Sequence, residues 1–387
     1  MDRKIHVDKN DGCWIRGVCT AMAILIILIF IVLLFSAYVK PKSKFVFVIL
    51  VLLFGMVCIF IKPHSTGDLM AYANRYDYPI SYERKGLISN VFLFFKSLGL
   101  SFQQSRVFLY LFYISMPVYW ICKNTKNINV AFAMTMILPG ITMGIQLRNS
   151  IAITFIYLGL LILYNKSLNT VVKIALYCLC VYVGVQFHQS MFFYLLFILL
   201  LLDMKEKTIA KLSFASLTIC TVFYSTLKSR LLSLFNFDLH VTEWLSLEVS
   251  WSLSSLFWAV FRITLLMIII WLTRMNIFEW FRYKGFAEEN DDGHGARYMN
   301  FTLKITRILP IMLPPILLSG SFFRLVQFIM PILIIAYSKN TDRFDSLITL
   351  KTSVYRFAYP LVIMLVFVYY SWWQGDIFNY LNSLSIG

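Results

Sequence analysis

Residues 45–61, FVFVILVLLFGMVCIFI, run for seventeen positions without a charge, and residues 62–85, KPHSTGDLMAYANRYDYPISYERK, follow with acids, bases and four tyrosines. A membrane-crossing helix needs about 20 apolar residues, and one sheltered inside a bundle can be shorter or interrupted. The first stretch therefore reads as a membrane span and the second as a polar segment at its edge. Polar side chains interleaved with aromatic faces suit a sugar. Three later segments answer it: Gln146-Leu147-Arg148-Asn149-Ser150, Gln186-Phe187-His188-Gln189-Ser190, and Ser319 to Gln327 with Arg324 inside.

Composition extends the first reading to the whole chain. Of 387 residues, 59% are hydrophobic and 14% charged, whereas soluble domains are roughly half apolar and a quarter charged. The expected fold is a single all-α membrane domain over 1–387, a polytopic integral membrane helix bundle. Apolar runs at 19–39, 45–61, 101–121, 129–145, 149–164, 170–186, 190–202, 209–226, 255–273, 304–319, 322–337 and 354–373 give about twelve spans. At 145/149, 186/190 and 319/322 the polar breaks are a few residues long, each a hairpin tip or a re-entrant dip. No small-x-small cleavage site follows the first apolar run, so an uncleaved span is expected there.

The net charge of +16 is spread over short loops, which points to membrane orientation and to anionic lipid or phosphate partners, not to nucleic acid. The loops at 40–44, 122–128, 165–173, 203–211, 274–304 and 338–356 carry 19 Lys and Arg, against 14 in the N-terminal tail and the loops of the other face. The richer face is expected to be cytoplasmic. The outer face then holds both termini and all four special segments. It also holds the loop 62–106, whose residues 86–100 suit an interfacial helix, and the loop 227–254. The stretch 274–303 is expected as a cytoplasmic loop, with Glu288 to Gly295 as a solvated linker in preference to a metal site. Seven cysteines form no metal or disulfide framework, and no cofactor is called for.

Ionisable groups at membrane depth demand a partner or a task. Arg148 opens a fresh apolar helix and Arg324 lies two residues into another; each would be a snorkelling anchor taken alone. With Arg75, Arg84, Arg106 and the deeper Arg262 they crowd the outer rim, and arginine forks match phosphate oxygens bidentately. A diphosphate at headgroup level is the simplest ligand. His188 is either a satisfied hydrogen-bonding residue or a general base near neutrality. Asp68 is either a helix N-cap after Gly67 or a sugar-orienting carboxylate and second candidate base. Tyr72, four residues on, would stack on a pyranose ring. Gln146, Gln186, Gln327 and Glu83 complete the expected glycan contacts, though Glu83 and Arg84 equally make a surface pair.

In order, Gly67-Asp68-x-x-x-Tyr72, Glu83-x-x-Gly86, Arg148-Asn149-Ser150-Ile151-Ala152, Phe187-His188-Gln189-Ser190 and Phe323-Arg324 resemble the EpsG/Wzy group of polysaccharide polymerases. The resemblance covers roughly residues 20–340. Asn149 departs from it, standing where many relatives would be expected to carry Gln. The resemblance implies a fold like the lipid-dependent, GT-C-like glycosyltransferases. It also implies a bacterial inner-membrane enzyme that moves a growing O-antigen or capsule chain from undecaprenyl diphosphate onto a lipid-linked repeat unit. On that expectation His188 and Asp68 are catalytic, Arg148, Arg324, Arg75 and Arg84 bind diphosphate, and no metal takes part. The partners are the undecaprenyl-diphosphate-linked oligosaccharide, membrane lipids and a chain-length regulator. The rival expectations are an O-antigen ligase and, in another class, a lipid-linked glycan flippase or transporter.

Overall fold

The computed structural model describes residues 39–60, 67–78, 87–202, 204–223, 253–284, 293–318, 322–344 and 358–366, whose regular structure is all helical. In chain order the helices are α1 (Lys44–Phe60), α2 (Gly67–Asp77), α3 (Leu87–Ser97), α4 (Phe102–Asn124), α5 (Ile128–Thr135), α6 (Ile141–Ile145), α7 (Leu147–Tyr164), α8 (Thr170–Phe187), α9 (Gln189–Leu201), α10 (Glu206–Val222), α11 (Leu253–Lys284), α12 (His294–Met312), α13 (Phe323–Gln327) and α14 (Met330–Phe344). Residues 358–366 form a further helical segment. The expected span 19–39 and the loop 227–254 lie outside the described residues, apart from Val39 and the first two residues of α11.

What faces outward identifies the solvent. On α1 the exposed residues Phe45, Val48, Leu52, Met56 and Phe60 recur at helical spacing, and on α4 Val107, Phe108, Leu111 and Phe112 do the same. A helix apolar on both its packed and its outer face belongs in lipid, since water would oppose so large a bare stripe. Among the described residues four helices are long and apolar enough to cross a membrane: Phe102–Asn124, Leu147–Tyr164, Thr170–Phe187 and Leu256–Arg282. They give the chain the build of a multi-pass membrane protein.

The helices run between two ends. At one, Asn129 Nδ2 donates to Lys40 O (2.6 Å) and Ser43 O (2.9 Å), and Asn127 Nδ2 to Ser338 O (3.0 Å). There too Asn340 Nδ2 donates to Asn276 O (3.0 Å), and the Arg297 guanidinium lies 4.2 Å over the Tyr164 ring while bonding that residue's carbonyl. Four of the segments sequence assigned to the inner face, 40–44, 122–128, 274–304 and 338–356, thus have residues at this end. α7 leaves this end at Tyr164 and reaches the other at Leu147; eighteen residues at about 1.5 Å each give about 27 Å, close to the hydrocarbon thickness.

α9 covers the same depth with fewer residues. It is wound as a 3₁₀ helix of thirteen residues, longer than such windings usually run, and at about 2.0 Å per residue it extends about 26 Å. The chain therefore climbs from Asn129 to a tip at Gln146, descends α7, climbs α8 to a tip at His188 and descends α9. Both tips are hairpin turns at one end. On the climb to Gln146 the helix is broken where Leu138 turns extended (φ −143, ψ 110) before Pro139, whose ring disfavours helix in its predecessor.

α7 is the buried centre, packed on α4, α8 and α9. Its contact with α8 is close because Gly159 has no side chain: a Cβ there would come within 2.7 Å of Tyr177 Cδ2 and 3.2 Å of Cys180 Cβ. Tyr177 is fully buried and donates to Tyr194 O at 2.6 Å, so it has nowhere to go. Gly159→Ala is expected to destabilise the bundle by about 1–3 kcal/mol through overpacking. Thermal unfolding in detergent reads this, and an unchanged midpoint would refute the tight contact.

Two expectations are corrected. The stretch 274–303 is not one loop: α11 continues to Lys284 and α12 starts at His294, because Asn276 and Glu279 (6% exposed) are buried in the bundle, Asn276 bonding Asn340 of α14. Residues 288–292 of the acidic linker fall outside the described residues, and His294 sets its ring edge against Tyr164. Arg106, expected at the outer rim, is 2% exposed. It donates to Cys58 O, beside Gln103 donating to Ile59 O, so these side chains satisfy the last carbonyls of α1 that a helix end leaves open.

Candidate functional site

The site lies at the end of the bundle where α1 finishes and the tips of α6–α7 and α8–α9 sit. Its floor is α2. Leu69, Tyr72 and Tyr76 recur on its buried face, leaving Asp68, Met70 and Asn74 exposed. Phe92 of α3 makes T-shaped contacts with Tyr72 (6.5 Å) and Tyr76 (5.5 Å), and Lys96 Nζ caps the α2 C-terminus at Asp77 O, 2.8 Å. α2 begins at Gly67, so Asp68 stands within the first turn and not at the cap, where a carboxylate still complements the helix dipole.

Arg148 reaches α2 from the first turn of α7. Its Nε donates to Tyr72 Oη at 3.3 Å and its guanidinium lies 5.8 Å from the Tyr72 ring centre. Burial raises the Tyr72 phenol above its ordinary range, Arg148 opposing the shift and Asp68 adding to it. Tyr72 therefore stays a neutral phenol, between a cation and an anion that both act on it. Arg75 follows one turn along α2, half-buried.

Two residues before Arg148, Gln146 occupies the helix break with non-helical backbone (φ −98, ψ 69). Its amide lies between two groups. One end is 2.8 Å from the Asn149 side-chain amide; the other, with the oxygen turned outward, lies against the Arg324 guanidinium, 2.6–2.9 Å from its nitrogens. One turn deeper, Gln327 Nε2 donates to Thr142 Oγ1 at 2.9 Å. The short helix α13 is thus joined to the α6–α7 tip by two amide contacts, and Arg148 and Arg324 arrive from separate helices at one break.

Broken helices free carbonyls that lipid cannot satisfy, and tyrosines take them here. Tyr194 Oη donates to Leu325 O at 2.6 Å and Tyr157 Oη to Phe328 O, while Tyr298 Oη reaches Ile332 O, within the first turn of α14, at 2.8 Å. These bonds brace the backbone that carries Arg324. None of the three tyrosines was singled out from sequence; a tyrosine at membrane depth opposite a helix break is the signal that was there to read.

His188 is tied in through its neighbours. Gly184, one turn before it, meets Ala152 O across α7, and Ala152 is one turn inside Arg148. His188 and Arg148 therefore stand at one depth, each a helical turn beyond the same contact. On the descending side Phe193 packs edgewise on Phe322 (5.1 Å), beside Arg324's helix. His188 is extended (φ −149, ψ 116) and N-caps α9, its Nδ1 3.3 Å from Ser190 N and 2.6 Å from Ser190 Oγ.

The chain was compared with family models, curated proteins and solved structures. It matches none of them.

The sequence-expected residues thus divide. Asp68, Tyr72, Gln146, Arg148 and Arg324 are linked by contact or mutual charge, with His188 level with them. Gln186 is exposed on the last turn of α8. Gln327, expected to meet sugar, is 1% exposed and turned inward to Thr142, because an amide buried one turn below the rim needs an internal partner. Glu83 and Arg84 lie outside the described residues. Two guanidinium groups, a carboxylate and an imidazole form a set able to bind an anionic leaving group and to take a proton.

Proposed function

We propose that the chain is a polysaccharide polymerase of a bacterial inner membrane, with about twelve spans and its site on the periplasmic face. It moves a growing O-antigen or capsule glycan from undecaprenyl diphosphate to the non-reducing end of a lipid-linked repeat unit. The observation that carries this reading is the arrival of Arg148 and Arg324 at the Gln146 break, with His188 at the same depth. The periplasmic side is supported by the meeting of the lysine- and arginine-rich segments at the opposite end.

The chemistry asks little else. An anomeric diphosphate leaves readily once its charge is stabilised, which preorganised guanidinium groups supply; the acceptor hydroxyl alone needs a base, His188 or, second, Asp68. Arg75 and Arg84 extend the diphosphate contacts, and Tyr72, Gln186 and Glu83 face the glycan. The partners are the lipid-linked oligosaccharide, membrane lipids and a chain-length regulator.

A carrier of lipid-linked glycan is the second reading, favoured by Glu279, a carboxylate buried in α11; a ligase is the closest enzymatic rival. The surface glycan of a deletion strain separates them. Loss of the ladder with one repeat retained is the polymerase result. Polymer left on the lipid carrier would mean a ligase, and absence of any outer glycan a carrier; either would overturn the proposal.

A further inference from the structure

We propose that Gln146 is a positioning residue that aims the Arg324 guanidinium, and that it does not contact the sugar. The inference deepens the polymerase reading and rests on it. Gln146 is 3% exposed, and with its amide turned so that the oxygen faces Arg324 it lies 2.6–2.9 Å from the nitrogens of that guanidinium, its own nitrogen then meeting the Asn149 side-chain amide at 2.8 Å. A side chain in that state has no edge to offer a glycan. It sits at the residue where the α6–α7 backbone leaves helical geometry, a place where local hydrogen bonding and not helix pairing decides direction. The Gln327–Thr142 bond one turn below fixes the same two segments, so Arg324 has a rigid base and a guided tip.

The chemistry of the contact explains why the residue is an amide. A neutral carbonyl orients a guanidinium by accepting its hydrogen bonds, yet leaves the full positive charge for an anion. A carboxylate at the same place would orient it equally well and cancel that charge. Glutamate and leucine at 146 therefore separate the two effects: Gln146→Glu keeps the aim and removes the charge, while Gln146→Leu keeps the charge and removes the aim.

The test uses full-length protein in detergent that elutes as one species, with a polyprenyl-diphosphate-linked repeat unit as substrate and inorganic diphosphate as competing probe. Gln146→Leu is expected to lower kcat by about 10²-fold, the usual consequence of an ångström of misplacement, with KM and the inhibition by diphosphate changed less than about threefold. Gln146→Glu, nearly isosteric, is expected to raise KM and weaken inhibition by diphosphate about tenfold or more, as loss of a charge-assisted contact does. Added to Arg324→Ala, Gln146→Leu should cause no further loss, because both act through one group. Normal kinetics in Gln146→Leu or Gln146→Glu, with Arg324→Ala inactive, overturns the positioning role alone. An active Arg324→Ala overturns the diphosphate reading of Arg324 beneath it.

Discussion

Arg148→Lys is expected to remove nearly all polymerisation, lowering kcat by about 10²–10³-fold, the cost of deleting one preorganised donor to a developing anion. Lysine preserves the positive charge, so a merely electrostatic anchor in the headgroups would tolerate it. The guanidinium does two things that an ammonium cannot. It donates from Nε to Tyr72 Oη while leaning on the Tyr72 ring, and its planar fork offers paired N–H groups at fixed geometry to phosphate oxygens. Tyr72→Phe retains the ring and removes only the 3.3 Å bond, and should cost less than about tenfold, since that bond is long. Arg324→Lys should resemble Arg148→Lys, because its fork is aimed by Gln146. Turnover of a lipid-linked repeat unit by purified protein, beside the glycan ladder of complemented cells, provides the measurement. Near-normal ladders from Arg148→Lys would reduce both arginines to anchors and remove the basis for a diphosphate site.

Helix class and the places of the two polar breaks were legible in sequence because each depends on local composition, whereas hairpin tip or re-entrant dip stayed open there. Gln146-Leu147-Arg148 and Gln186-Phe187-His188 interrupt apolar runs, and lipid enforces helix on either side of such interruptions. Among the described residues four helices meet the length and apolarity of a crossing helix; the apolar runs 129–145 and 190–202 fall on α5–α6, which is broken at Leu138, and on α9, which is wound more tightly. Polarity also misled where it marks burial instead of water. Asn276 and Glu279 were assigned to a loop, yet they lie inside the bundle, where Asn276 answers Asn340. Arg106 was placed with the rim arginines, although its partner is a carbonyl of α1, and Gln327 with the sugar contacts, although its partner is Thr142. In each case residue type stated that a partner was required, and only the packing of distant helices stated which. The Gln146–Arg324 contact belongs to this group: both residues were recognised, but their relation depends on how α13 folds back against the α6–α7 tip.

His188→Ala should abolish long chains, and His188→Asn should fail with it. The pair is chosen because the structure gives His188 an ordinary duty: it N-caps α9, and asparagine is among the best N-cap residues, worth about 1 kcal/mol over alanine. If capping were the whole role, Asn would restore both fold and activity. As a base His188 needs an imidazole nitrogen with an open lone pair, which the 2.6 Å contact with Ser190 Oγ allows in one tautomer. When Nδ1–H donates to Ser190 Oγ, Nε2 is left to accept the acceptor-sugar proton and the cap bond from Ser190 N is given up; when Nδ1 accepts, as it does in the cap, Nε2 carries the hydrogen and is no base. Ser190→Ala should then lower kcat with little change in KM, since it removes the hydroxyl that selects the tautomer but not the imidazole. Polymerisation by His188→Asn at the wild-type rate would transfer the proton abstraction to Asp68, exposed on the first turn of α2. Asp68→Asn, which keeps the side chain's shape and hydrogen-bonding reach, would then be the inactive variant.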